Sequence, residues 1–225
     1  MSFRVYFASN WKDSVNDPRI LPAQFGFGFT ESGMPRLPDN VLPDALRILD
    51  DAMMPKQLPH TEAIGKLAHQ CANGCFFDFE RKPTRMHAAI IRRLSQELRG
   101  LPLFAAERFM PMCTFLLPLV TPPQRCGNWK RFAAQTGERY PNGWALELIP
   151  GRYSVQMPFI ANSSGKITDA LCYYRQEGKT AQYFDTSETL SEKLAVARAN
   201  GCCAAIGLLE ELRPLLQAEH LPFFK

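Results

Sequence analysis

Apolar and polar residues follow two patterns along this chain. Short runs rich in aromatic and β-branched residues predict strands, and segments with apolar residues three or four apart predict helices. The predicted strands are 3–9, 24–29, 45–51, 74–81, 102–107, 114–120 and 202–209, and the predicted helices are 61–71, 84–99, 124–137 and 187–200. Because strands and helices largely alternate, the pattern indicates parallel βαβ units.

Two strand segments carry further information. Ala45–Asp51 is compatible with a helix or a strand, and we favour the strand because its apolar residues stop at Asp50-Asp51 and a proline soon follows. In the strand 24–29, Gly26 and Gly28 share one face. Glycines at such positions indicate the close approach of another backbone or of a ligand.

Residues 143–185 differ from the rest of the chain. Alternating runs are separated there by Gly151, by Ser163-Ser164-Gly165 and by Glu177-Gly178, which is typical of β-hairpins. Together the elements predict an α/β protein with a (β/α)8 TIM-barrel-like fold. We expect a single domain over residues 1–225, with an antiparallel hairpin insertion at about 143–185.

Composition narrows the function classes. The 225 residues are 46% hydrophobic and 21% charged, which is enough apolar material for a sizeable core. The net charge of +4 comes from scattered Lys and Arg residues, so solvated helix faces explain it better than nucleic-acid binding. The four His residues lack metal-ligand spacing, and no nucleotide-binding loop or serine nucleophile motif is present. We expect no cofactor, no metal and no nucleic-acid partner.

The cysteines and the hydropathy pattern bear on the cellular location. Seven cysteines is an odd number without disulfide-framework regularity, so reduced and mostly buried thiols are expected. No signal-peptide core and no run of roughly 20 apolar residues is present. These observations predict a cytoplasmic protein without a membrane partner.

The strand 74–81 carries the candidate chemistry, because it ends in two carboxylates, Asp78 and Glu80. Residues two apart on a strand share a face and lie roughly 6–7 Å apart, while the apolar residues between them face the other way. Pro83-Thr84 then opens the next helix. The acidic pair therefore lies at the carboxyl end of a βα unit, where parallel α/β folds place their active sites.

Carboxylates also follow other predicted strands. They are Asp50, Asp51, Glu107, Glu210 and Glu211. Because the carboxyl ends of barrel strands converge on one rim, we expect Asp50, Asp78, Glu80 and Glu107 to gather at one acidic mouth. Two interpretations of these further acids stay open: a second catalytic carboxylate or metal ligand, or acids that complement helix dipoles.

Three segments and the order of elements resemble one family. The segments are Tyr6-Phe7-Ala8-Ser9-Asn10-Trp11, Phe77-Asp78-Phe79-Glu80 and Ser154-Val155-Gln156-Met157-Pro158-Phe159. They resemble the (β/α)8 barrels of the glycoside hydrolase family 18 chitinases and their lectin-like relatives. In that family the fourth strand carries Asp-x-x-Asp-x-Asp-x-Glu, which falls here on Asn73, Phe76, Asp78 and Glu80. The last two acids match the motif.

The resemblance implies roles for particular residues. Glu80 is implied to be the general acid, and Asp78 to position the acetamido group of the substrate. We expect the other substrate-binding residues to be Asn10, Trp11, Asp50, Glu107, Met157 and Glu210. Trp11 is open to two interpretations, a platform for sugar stacking or a hydrophobic residue at the rim. The implied partner is an amino-sugar-type glycan or another small molecule.

The chain also departs from the family pattern. Phe76 replaces an inward Asp, Met157-Pro158-Phe159 stands for the Met-x-Tyr of the sixth strand, and the closing strand has Leu208-Leu209-Glu210 where the family has a Trp. Two functions therefore remain: a glycoside hydrolase, or a catalytically inactive barrel that binds a carbohydrate or small ligand. In the second, Glu80 is a barrel carboxylate paired with Arg81, Lys82 or another rim Arg.

Overall fold

The computed structural model describes residues 3–10, 20–123, 125–156 and 163–216. The strands are β1 (Arg4–Ser9), β2 (Leu21–Phe29), β3 (Pro35–Arg36), β4 (Leu46–Asp50), β5 (Cys75–Asp78), β6 (Leu103–Ala106), β7 (Leu117–Val120), β8 (Trp144–Glu147), β9 (Arg152–Gln156), β10 (Ser163–Ile167), β11 (Cys172–Glu177), β12 (Thr180–Phe184) and β13 (Cys202–Leu208). The helices are α1 (Thr61–Gln70), α2 (Arg85–Glu97), α3 (Trp129–Arg139), α4 (Ser187–Ala199) and α5 (Leu209–Leu216), with a 3₁₀ helix at Glu107–Met112. None of the helices in these ranges is long and apolar enough to cross a membrane.

Eight parallel strands form the barrel that the sequence predicts. Their order is β1, β2, β4, β5, β6, β7, β8 and β13, and β13 pairs with β1 to close the sheet. Helices or longer connections separate most of these strands along the chain. The strand assignment at Ala45–Asp51 is confirmed, because β4 lies between β2 and β5. The short strand β3 adds to β2 in the antiparallel direction.

The hairpin insertion is also present, with a later start than the sequence predicts. β9 to β12 form a separate antiparallel sheet in the order β10, β11, β12, β9. The predicted insertion included Trp144–Glu147, but this segment is β8 and pairs in parallel with β13. Alternation alone does not distinguish a barrel strand from a hairpin strand, which explains the shifted boundary.

The chain divides into two compact units, residues 6–120 and residues 1–5 with 121–225. In the 6–120 unit, the core includes Phe77 and Phe79 of the segment around β5, packed with Ile64 and Leu67 of α1 and Ile91 of α2. The outward face of β5 is thereby buried beneath helices, as in other α/β barrels. The expectation of a single domain stays a prediction.

Both predicted boundaries of one helix are wrong. The sequence predicts that Gly137 closes a helix over 124–137, but α3 begins after the N-cap Asn128 and continues to Arg139. A side chain at Gly137 would place its Cβ 2.4 Å from the carbonyl oxygen of Asn200. The glycine therefore lets α3 pack closely against Asn200, and it does not end the helix.

Candidate active site

The ends of β4 and β5 bring two predicted site residues together. Asp50 and Asp78 are register partners on these neighbouring strands, and Ile48 and Phe76 are register partners two residues earlier. Adjacent strands lie about 4.8 Å apart, and register partners in a parallel pair share a face. Because Phe77 faces the helix-covered core, alternation places Phe76 and Asp78 on the opposite, barrel-facing side of β5. β5 is the fourth barrel strand, as the family resemblance implies.

Asp50 is paired with a cation that the sequence analysis did not identify. Arg36 of β3 donates from Nη2 to Asp50 Oδ1, and from Nη1 to the Gly26 carbonyl at 3.3 Å. Gly28 makes this approach possible, because a Cβ there would lie 2.9 Å from Arg36 Nη2. The close contact predicted at these glycines is therefore made by a guanidinium of the chain itself.

Glu80 lies two residues past the end of β5, with its side chain exposed. Its backbone N–H donates to Asp51 Oδ1 at 3.0 Å, and that of Arg81 donates to Asp51 Oδ2 at 2.9 Å. The guanidinium of Arg81 turns back to the carbonyl of Ala52 at 2.7 Å. Hydrogen bonds to the end of β4 therefore hold the backbone that carries Glu80.

Asp51 is a buried carboxylate with 3% of its surface exposed. Burial raises the pKa of the Asp51 carboxyl, but the backbone N–H groups of Glu80 and Arg81 and the His87 ring together hold it below its ordinary value. His87 Nε2 lies 3.1 Å from Asp51 Oδ2. Asp51 thus serves as the ionised acceptor for the segment after β5.

The other predicted residues occupy different positions. Glu107 follows β6 directly and opens the 3₁₀ helix, with a half-buried side chain. Asn10, just after β1, and Glu210, in α5, are both exposed. Trp11 and Met157 lie outside the described residues. Within the described ranges, no group of three or more His, Cys, Asp or Glu side chains is placed to hold a metal ion.

The segment compared with the sixth family strand lies elsewhere in the fold. Its described part, Ser154–Gln156, belongs to β9 and pairs with β12 in the antiparallel sheet. The sixth barrel strand is instead β7, Leu117–Val120, followed by Thr121. Thr121 donates its hydroxyl hydrogen to Glu147 Oε2, at the end of β8. Glu147 was not among the predicted site residues.

Sequence reasoning also missed the pairing of Asp51 with His87. These residues are 36 positions apart, and no local pattern joins them. A weak signal was available in Thr84-x-x-His87, because Thr followed three residues later by a hydrogen-bonding side chain is the spacing of a capping box. That signal predicts the helix cap and not the contact with Asp51.

The 121–225 part of the chain contains a cavity of about 400 Å³. Its lining includes Trp129, Tyr153, Phe184 and the ion pair formed by Asp185 and Lys193. None of the predicted site residues that the structure describes lines this cavity.

Solved structures with a similar fold agree with the barrel, whereas the sequence comparisons find no match. No family model matches the sequence, and no curated protein sequence matches it. Among solved structures, the Ostrinia furnacalis group IV chitinase has a TM-score of 0.60 at 8% identity, covering 100% of this chain and 98% of that chain.

Other solved structures are also similar at TM-scores above 0.5, among them a spore cortex-lytic enzyme and a chitinase-like agglutinin. The spore cortex-lytic enzyme SleL of Bacillus megaterium QM B1551 has a TM-score of 0.53 at 12% identity, covering 92% of this chain and 70% of that one. The chitinase-like agglutinin RobpsCRA of Robinia pseudoacacia has a TM-score of 0.52 at 9% identity, covering 91% and 93%. At such identities the likeness establishes the fold, and the chain accordingly has the barrel fold of the glycoside hydrolase family 18 chitinases and chitinase-like proteins.

Proposed function

We propose that the chain is a glycoside-hydrolase-like barrel that binds an amino-sugar-type glycan at an acidic mouth and hydrolyses it with Glu80 as general acid. The observation that carries the proposal is the position of Glu80. Its exposed carboxyl follows the fourth barrel strand, on a backbone that Asp51 holds by two hydrogen bonds. A general acid needs this combination of access to the glycosidic oxygen and fixed geometry.

Neighbouring residues suit supporting roles in this proposal. Asp78 ends β5 and is the register partner of Asp50, whose charge is balanced by Arg36. Asp78 would thus orient the substrate beside Glu80, with Asp50 and Glu107 as further polar contacts at neighbouring strand ends. The ligand class is suggested by a structural neighbour, the GH18 chitinase of Cycas revoluta in complex with (GlcNAc)4.

A second candidate is a barrel that binds a carbohydrate or small ligand without hydrolysing it. Phe76 favours it, because this buried aromatic residue precedes Asp78 on the barrel-facing side of β5, where the family motif has an acid. A phenyl ring has no carboxyl group, so Phe76 cannot make the hydrogen bond that the motif's acid makes at this position. Loss of an acid–base group typically lowers a rate by about 10²- to 10⁴-fold.

The seven free cysteines fit the location we propose, the cytoplasm. Free thiols are typical of reducing compartments.

One experiment separates the two functions. Chromogenic glycosides and glycan arrays are screened with wild type, Glu80→Gln and Glu97→Gln, the last removing an exposed charge at the end of α2. We expect wild type to hydrolyse a glycoside, Glu80→Gln to abolish this turnover and Glu97→Gln to preserve it. Turnover that survives Glu80→Gln would exclude Glu80 as the acid. Glycan binding without turnover by wild type would favour the inactive barrel, and the absence of both would contradict both functions.

A further inference from the structure

A buried polar cluster lies behind the segment that carries Glu80. At its centre, Asp51 accepts the backbone N–H groups of Glu80 and Arg81 and lies 3.1 Å from His87 Nε2. The side chains of Asp51 and His87 are 4% and 1% exposed. A carboxylate buried to this extent requires several hydrogen bonds to offset its desolvation, and here it has three.

His87 is oriented from its other side by the start of α2. The backbone N–H of Thr84 donates to His87 Nδ1 at 3.1 Å, within a capping box. Because a backbone N–H can only donate, Nδ1 accepts, and the ring proton of the neutral imidazole lies on Nε2. That proton points at Asp51. The ring is also packed against Phe79 and Phe109, at centroid distances of 5.0 and 5.5 Å.

We propose that Asp51, oriented by His87, is a positioning residue for Glu80. Strand pairing ends at Asp78, so the N–H groups of Glu80 and Arg81 have left the ladder and need other acceptors. Asp51 supplies both acceptors, and Arg108 donates to the preceding carbonyl, that of Phe79. The backbone of this segment is therefore held at the N–H groups of Glu80 and Arg81 and at the carbonyl of Phe79. The Glu80 carboxyl then moves only by rotation about its own side-chain torsions.

The consequence for catalysis rests on the proposed function. A general acid that is misplaced by about 1 Å loses rate even when its chemistry is intact. Asp51 would therefore act on turnover through the geometry of Glu80 and would not itself touch the substrate. His87 would act one step further back, by holding Asp51 and the start of α2 together.

Amide hydrogen exchange measured by NMR tests the positioning directly and needs no substrate. We expect the amides of Glu80 and Arg81 to exchange about 10- to 100-fold faster in Asp51→Asn than in wild type, relative to those of Phe76 and Phe77. Asn keeps the shape of Asp but replaces one acceptor oxygen with a donor. Glu62→Gln, which removes an exposed carboxylate from α1, is the control and should change neither amide.

His87→Gln is the second variant, and it guards against a failure of Asp51→Asn to fold. Gln at this helix position preserves a capping box with Thr84, but its amide does not reproduce the ring contact with Asp51. We expect faster exchange at Glu80 and Arg81 in this variant too. The quantity compared is the exchange rate of the Glu80 and Arg81 amides relative to that of the Phe76 and Phe77 amides. If this ratio stays within about twofold of wild type in a variant that folds, the proposal is overturned.

Turnover measurements then separate this inference from the proposed function. If wild type hydrolyses a glycoside, Asp51→Asn should lower kcat with little change in KM and should cause no further loss in a Glu80→Gln background. An unchanged kcat would contradict a positioning role in catalysis. If wild type has no turnover, the proposed hydrolase fails, and the exchange result alone decides whether Asp51 holds Glu80.

Discussion

Lys193 directs its ammonium at both carboxylate oxygens of Asp185, with Nζ 2.7 Å from Oδ1 and 2.8 Å from Oδ2. The same carboxylate accepts the Gly151 N–H at 2.6 Å and the Thr189 hydroxyl at 3.1 Å. The side chains of Asp185 and Lys193 are 0% and 10% exposed. This buried pair therefore connects the end of β12, the segment before β9 and the first turns of α4.

Asp185→Asn should lower the free energy of unfolding by about 3 kcal/mol, because it leaves the Lys193 charge buried without its counter-ion. Urea denaturation measures the change. The matched control is Lys166→Met, which removes an ammonium that bonds the more exposed Glu188 and Glu192 and should shift the midpoint only slightly. Equal shifts for the two variants would contradict a stabilising role specific to the buried pair.

Gly28→Ala should separate Arg36 from Asp50. The added Cβ would lie 2.9 Å from Arg36 Nη2 and 3.0 Å from the Asp50 carbonyl oxygen, so β2 and β4 must shift. We expect a loss of about 1–3 kcal/mol in thermal or urea unfolding. Gly65→Ala is the control, because nothing lies within 4 Å of its added Cβ and Ala favours the helix by about 0.5–1 kcal/mol. Equal or greater stability of Gly28→Ala would show that the predicted clash does not occur.

Thiol reactivity should follow burial. Burial raises the pKa of the Cys75 thiol well above its ordinary value, with a further contribution from Cys71, and burial likewise raises that of Cys202. Cys113 is half-buried. In native protein at about pH 8, iodoacetamide should therefore modify Cys113 before Cys75 and Cys202, as read by mass spectrometry of peptides. In urea the difference should disappear, and early modification of Cys75 in the native state would contradict its burial.

Much of the barrel could be predicted because most of its strands have a strong local signal. β5, for example, combines a run of aromatic residues with a terminal carboxylate and a Thr84 helix cap. Where two structures share one local pattern, prediction was wrong. The alternating pattern of Trp144–Glu147 is compatible with a hairpin strand and with a barrel strand. A glycine such as Gly137 is compatible with a helix end and with a point where the helix packs closely, here against Asn200.

The candidate site was less accessible to sequence reasoning, because its contacts join residues far apart in the chain. The predicted strand boundaries correctly place Asp50 and Asp78 at the ends of their strands, and the parallel pairing of β4 with β5 makes the two residues neighbours. The Arg36 pairing depends on how β3 folds back over Gly28, and the His87 contact depends on the packing of α2. Neither contact leaves a pattern that distinguishes these residues from ordinary surface charges.

The stability of the protein should depend on pH through Asp51. Its pKa in the folded state lies below the ordinary value of about 3.9, so folding favours the ionised carboxyl. The resulting stabilisation is complete above the ordinary pKa and is lost as the pH falls through the folded-state pKa. Between about pH 5 and pH 2, the free energy of unfolding should therefore fall more steeply for wild type than for Asp51→Asn, as measured by urea denaturation at each pH. The other carboxylates are common to both proteins, so their contributions cancel in the difference. Parallel pH profiles would show that the hydrogen bonds to Asp51 do not favour its ionised form.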